Sequence, residues 1–124
     1  MDTPICKRIA LVHEVRAEIR ELKNSLMHAT KPEVSHEFLM QVRHAGKLKG
    51  DQFVDSYKLA VTEALAASDA DHASRGLGNS SSVVAARARI ESESMKDLRS
   101  IETELDLLDS MIESKRRLLD PTIA

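Results

Sequence analysis

Aromatic residues are the scarcest class in this chain: they make up 2% of 124 residues, as Phe38, Phe53 and Tyr57, with no tryptophan. Aromatic side chains bury about 150–250 Å² each and dominate most compact cores. A core without them draws its burial from many small aliphatic contacts along long interfaces. Helices packed side by side supply that; a β-sandwich or a compact enzyme core rarely does. Cysteine is almost absent as well. Cys6 stands alone, which excludes a disulfide scaffold. No apolar run approaches about 18 residues, so no membrane span is expected. Asp2 and Lys7-Arg8 interrupt the N-terminus and no apolar leader segment follows. The expectation is therefore no secretory signal and a cytoplasmic protein. Charge of one sign is lacking too: 18 Lys and Arg face 20 Asp and Glu, for a net charge of -2. That balance excludes a generally basic nucleic-acid binder. Together with 42% hydrophobic residues, it also excludes disorder by composition.

What is present is helical periodicity. In the first segment Pro4 suits a first helical position, with Thr3 as N-cap. Ile5, Val12, Ile19 and Leu26 recur every seventh residue, flanked by Ile9, Val15, Leu22 and Ala29. This is a coiled-coil-like seam. Pro32 ends it, because its ring clashes with the preceding turn. A second helix then carries Val34, Phe38, Val42 and Ala45 on one face. Gly46 and Gly50 bracket Lys47-Leu48-Lys49. Each interior glycine costs about 1 kcal/mol relative to alanine, which reads as a break. Asp51 would cap a third helix, buried through Phe53, Tyr57, Val61, Ala64 and Leu65. Residues 74–82 hold two glycines and four serines and form a loop, with Ser81 or Ser82 as the next N-cap. The last helix has the strongest pattern. Leu98, Ile101, Leu105, Leu108, Ile112 and Leu119 alternate at spacings of three and four, with Lys115 in one core slot. Val84, Ile90 and Met95 extend its apolar side past a phase slip near residues 91–94. No period-two alternation occurs, so no sheet is expected.

These features predict one all-α domain, an elongated antiparallel helical bundle or hairpin with coiled-coil-like N- and C-terminal helices. The predicted helices lie at about 4–30, 33–46, 51–73 and 83–119. Bases beside the first seam, Arg16 and Lys23, match acids beside the last, Glu102 and Asp109. With four helices the first and last would be antiparallel neighbours. An unbroken helix across residues 33–73 would instead make them parallel in a three-helix bundle, so the glycine pair decides the topology.

Chemistry-bearing patterns are incomplete. His36, Met40 and His44 stand four apart, but no third metal ligand accompanies them. Asp69, Asp71 and His72 lack the glycine and terminal glutamate of a calcium loop. Gly76 and Gly78 precede a helix without the strand that a dinucleotide fingerprint requires. Residues 45–50, Ala-Gly-Lys-Leu-Lys-Gly, resemble the His-x-Leu-Lys-Gly core of histidine-phosphotransfer domains. However, Gly46 stands at the phosphoacceptor position, and His44 falls two residues early. No catalytic residue, metal or cofactor is expected. The favoured expectation is a non-catalytic helical interaction module, an adaptor, assembly subunit or chaperone, with protein partners or self-association. It would dock by coiled-coil or helix-in-groove contact through Leu98, Ile101, Leu105, Leu108 and Ile112. The alternatives are nucleic-acid or anion binding at Arg43, Lys47 and Lys49, and a metal- or phosphotransfer-related role around His36 and His44.

Overall fold

The computed structural model describes residues 4–30, 32–78 and 80–119. It contains three helices: α1 (Pro4–His28), α2 (His36–Ser74) and α3 (Ser81–Leu119). They pack against one another as an all-α bundle, and no strand occurs among the described residues. The expected Thr3 cap lies outside those residues, as does Asp120-Pro121, the sequence signal that would end the last helix.

The expected break at Gly46–Gly50 does not exist. Residues 36–74 are one continuous helix, so the four-helix order gives way to three. The reason is contact. The buried positions of α2 are Leu39, Val42, Gly46, Gly50, Phe53, Tyr57, Ala60 and Ala64, an unbroken seam at steps of three and four. The two glycines occupy core slots in that seam. A Cβ at Gly46 would lie 2.9 Å from Leu108 Cδ2, and one at Gly50 would lie 2.7 Å from Leu105 Cδ1. Leucines of α3 fill the space that side chains on α2 would have taken. Packing offsets the helix-propensity cost that suggested a break. Asp51 therefore caps nothing and stands exposed on α2.

Short connections set the direction of each helix. After α1, the Glu33 and Val34 amides donate to the Thr30 carbonyl, and the Thr30 hydroxyl donates to Glu33. Ser35 then caps α2 by accepting from the Phe38 amide at 3.1 Å. The second helix thus starts at His36, three residues past its predicted start. At its far end Gly76 takes φ +74°, open to glycine at no steric cost. The Leu77 amide donates to the His72 carbonyl and the Gly76 amide to that of Ala73. This is a Schellman closure. Two tight turns give an up-down-up order, and α1 and α3 are parallel. Arg8 reaches Ser94 and Glu93, and Arg16, further along α1, reaches Ser100 and Glu104, further along α3. The antiparallel pairing of first and last helices is thereby corrected.

The core forms two clusters. One gathers Val12, Val15, Ile19, Phe53, Tyr57 and Ile101; the other gathers Leu26, Leu39, Val42, Leu108 and Ile112. The predicted α1 seam holds at Val12, Ile19 and Leu26, but Ile9 is 52% exposed. Its core slot belongs to Arg8, seven residues before Val15. In α3 the slot assigned to Met95 belongs to Ser94, seven residues before Ile101; Met95 and Val84 are exposed. The hydrophobic seams of α1 and α3 therefore share one polar layer.

Candidate functional site

The side of the bundle away from α1 carries a groove between α2 and α3 of about 540 Å³. Its floor follows from the glycine contacts. Gly46 and Gly50 leave the α2 backbone without side chains, and Leu98, Leu105 and Val54 complete an apolar base. Its two edges differ in sign. The α2 edge bears Arg43, Lys47 and Lys58 beside a single acid, Asp51, while the α3 edge bears Glu102 and Asp109. Arg43 bridges the edges, with Nη2 at 2.6 Å from Glu113 Oε1 and Nε at 3.8 Å from Asp109 Oδ1. The Arg43 guanidinium, and after it Arg116, holds the Glu113 carboxyl below its usual range. Lys47, Lys58 and Glu102 form no ion pair among the described residues. Their charges remain available to something lying in the groove.

The five residues read as a docking stripe divide here. Ile101, Leu108 and Ile112 are 2%, 1% and 2% exposed and face the other helices as core. Leu98 and Leu105 are half-buried and line the groove. The basic residues also divide. Arg43 and Lys47 sit on the groove, whereas Lys49 points toward α1, 3.7 Å from Glu18. They do not form one basic face, and phosphate binding needs several such charges together. His36, Met40 and His44 lie exposed on α2. Among the described residues no three His, Cys, Asp or Glu side chains converge on a metal position, and no helix is long and apolar enough to cross a membrane. Cys6 is exposed.

A polar layer lies on the opposite side, where α1 meets α3. Tyr57 is fully buried and its hydroxyl donates to Asp97 Oδ2. Ser94 donates to the Ile90 carbonyl at 2.6 Å and receives Arg8 Nη1 at 3.4 Å. Arg16 Nη2 donates to Ser100 Oγ, while its Nε stands 3.4 Å from Glu104 Oε1 without hydrogen-bond alignment. Burial, then the bond to the Asp97 carboxylate, pushes the Tyr57 phenol up to about 12; the Ser94 hydroxyl and the Arg8 charge pull the other way. Below pH 10 the phenol is protonated in both folded and unfolded chains, and its contribution to stability is complete. From pH 10 to about 12 only the unfolded chain ionises, so that contribution is lost. The loss is bounded by roughly 3 kcal/mol, and is about 1–2 kcal/mol once solvent access to half-buried Asp97 is allowed for. Tyr57 is the one tyrosine, so phenolate absorbance reports a single group. A midpoint near pH 12 is expected in the folded protein and near pH 10 in urea. A folded midpoint near pH 10 would contradict the buried bond to Asp97.

Periodicity alone gives the α3 stripe. Apolar spacing does not reveal Arg8 and Ser94, although their strict sevenfold relation to Val15 and Ile101 places them in the same seams. In comparisons with protein-family models, with curated proteins and with solved structures, nothing matches this chain.

Proposed function

We propose that the chain is a non-catalytic helical interaction module that receives an amphipathic helix of a partner protein in the α2–α3 groove. The glycine-floored groove with edges of opposite sign carries this reading. Leu105 and Leu108 close the floor against Gly50 and Gly46, and Leu98, Leu105 and Val54 offer apolar contact to the buried stripe of the incoming helix. The basic α2 edge favours acids along one flank of the incoming helix, and the acidic α3 edge favours bases along the other. Such flanking charges select partner and direction more than they add affinity.

Selection from a library of helical peptides tests this. Enriched peptides are expected to show an apolar stripe at steps of three and four, acids on one flank and bases on the other. Lys47→Glu with Lys58→Glu should weaken their binding about tenfold or more, and peptides with the acidic flank made basic should recover it. Peptides enriched without that charge pattern, bound equally well by the double variant, would sink the proposal.

A further inference from the structure

A second cavity, unrelated to the groove, lies at the loop end of the bundle. Arg8 of α1 stands level with Ser94 of α3. Between that level and the α2–α3 loop, α2 and α3 border a cavity of about 600 Å³. That is within the span of small-molecule sites, roughly 300–1,000 Å³. Ala64, Ala67, Ala86 and Ile90 give it apolar walls.

Its charged lining is unbalanced. Arg8 closes one end with its side chain 6% exposed, and its Nε has no hydrogen-bond partner. The carboxylate nearest to it, Glu93, is 3.9 Å away and 55% exposed. Arg89 also lines the cavity and forms no ion pair among the described residues. Two guanidinium groups, buried Arg8 and exposed Arg89, therefore line a pocket walled by alanines in which Glu93 is the one carboxylate among the described residues. A buried charge that is not well paired is costly, and a planar guanidinium binds carboxylate through two parallel N–H donors. We propose that this cavity binds a monocarboxylate with an apolar tail. The carboxylate meets Arg8 and Arg89, and the tail lies along the alanine walls.

Thermal unfolding of the intact chain with octanoate, octanol and acetate, each titrated to about 1 mM, separates head from tail. Octanoate should raise Tm by about 5 °C, as for a Kd near 0.1 mM; octanol and acetate should each shift it by less than about 1 °C. Arg8→Met and Arg89→Gln, each checked for unchanged helical circular dichroism, should abolish the octanoate response. Arg89 contacts no core cluster, so its variant keeps the test meaningful if the first alters packing. An octanol shift equal to that of octanoate, no octanoate shift, or a full response in both variants would overturn the proposal.

Discussion

Leu108→Ala is expected to lower the unfolding free energy by about 3–4 kcal/mol, in the upper part of the usual range for a buried leucine. Leu108 is 1% exposed, packs with Leu26, Leu39, Val42 and Ile112, and lies over Gly46. Truncating it opens a void that already lacks a side chain on the α2 side. Seams above and below hold the helices apart, so the void cannot close. In urea melts followed by circular dichroism, the midpoint should fall with the slope unchanged. Gly46→Ala tests the same contact from the other side. Its methyl gains about 1 kcal/mol of helix propensity but meets Leu108 Cδ2 at 2.9 Å, and Leu108 has nowhere to move. A net loss of about 1 kcal/mol is expected. Together the two changes should cost at least about 1 kcal/mol less than their sum, because the new methyl enters the void. Gly50→Ala provides the contrast. Its close neighbour Leu105 is half-buried beside the open groove and can turn aside, so this change should be neutral or stabilising. Strict additivity of Gly46→Ala and Leu108→Ala would mean that the two helices do not meet there.

That glycine layer is also where spacing along the sequence ceases to determine the fold. The all-α class, the seam Val12, Ile19 and Leu26, and the stripe through Ile101, Leu108 and Ile112 follow from spacing, because aliphatic residues at steps of three and four have one way to be buried together. Gly46 and Gly50 obey the same spacing, yet local propensity argues against a helix at both. What decides between a break and a close contact is a leucine about 60 residues away, and spacing within α2 carries no trace of it. The parallel pairing of α1 with α3 hung on that choice. The groove is half legible in the sequence: charge marks Arg43 and Lys47, and apolar spacing marks Leu98 and Leu105. Their convergence around a glycine floor needed the long-range contact. Arg8 and Ser94 were hidden differently. Their positions follow the heptads, but a search for apolar residues selects Ile9 and Met95 beside them, which point outward.

Because Arg8 holds a core slot without a close counter-charge, replacing it should strengthen the fold. Arg8→Met is expected to raise the unfolding free energy by about 1–3 kcal/mol, as when poorly paired buried ions give way to apolar residues of similar volume. The physical balance is specific to this position. The guanidinium loses its hydration and regains one bond at 3.4 Å to Ser94 and a carboxylate at 3.9 Å, with Nε left unsatisfied. Methionine is shorter than arginine but nearly as voluminous as its aliphatic stem and adapts to the slot between α2 and α3. Ser94 keeps its bond to the Ile90 carbonyl, so no hydroxyl is orphaned. Glu93 is mostly exposed and loses little. The same variant removes a positive charge that favours the Tyr57 phenolate, so the phenol should titrate at still higher pH. A residue kept at such a cost either fixes the register of α1 against α3 or serves a ligand, and the two roles separate by experiment. If Arg8 sets register, Arg8→Met should be more stable yet show less cooperative unfolding, with a shallower urea slope. If it serves the cavity, the slope should stay unchanged while the octanoate response disappears. A loss of stability greater than about 1 kcal/mol would instead mean that the guanidinium is well satisfied in solution, and its description as an unmatched buried charge would fall.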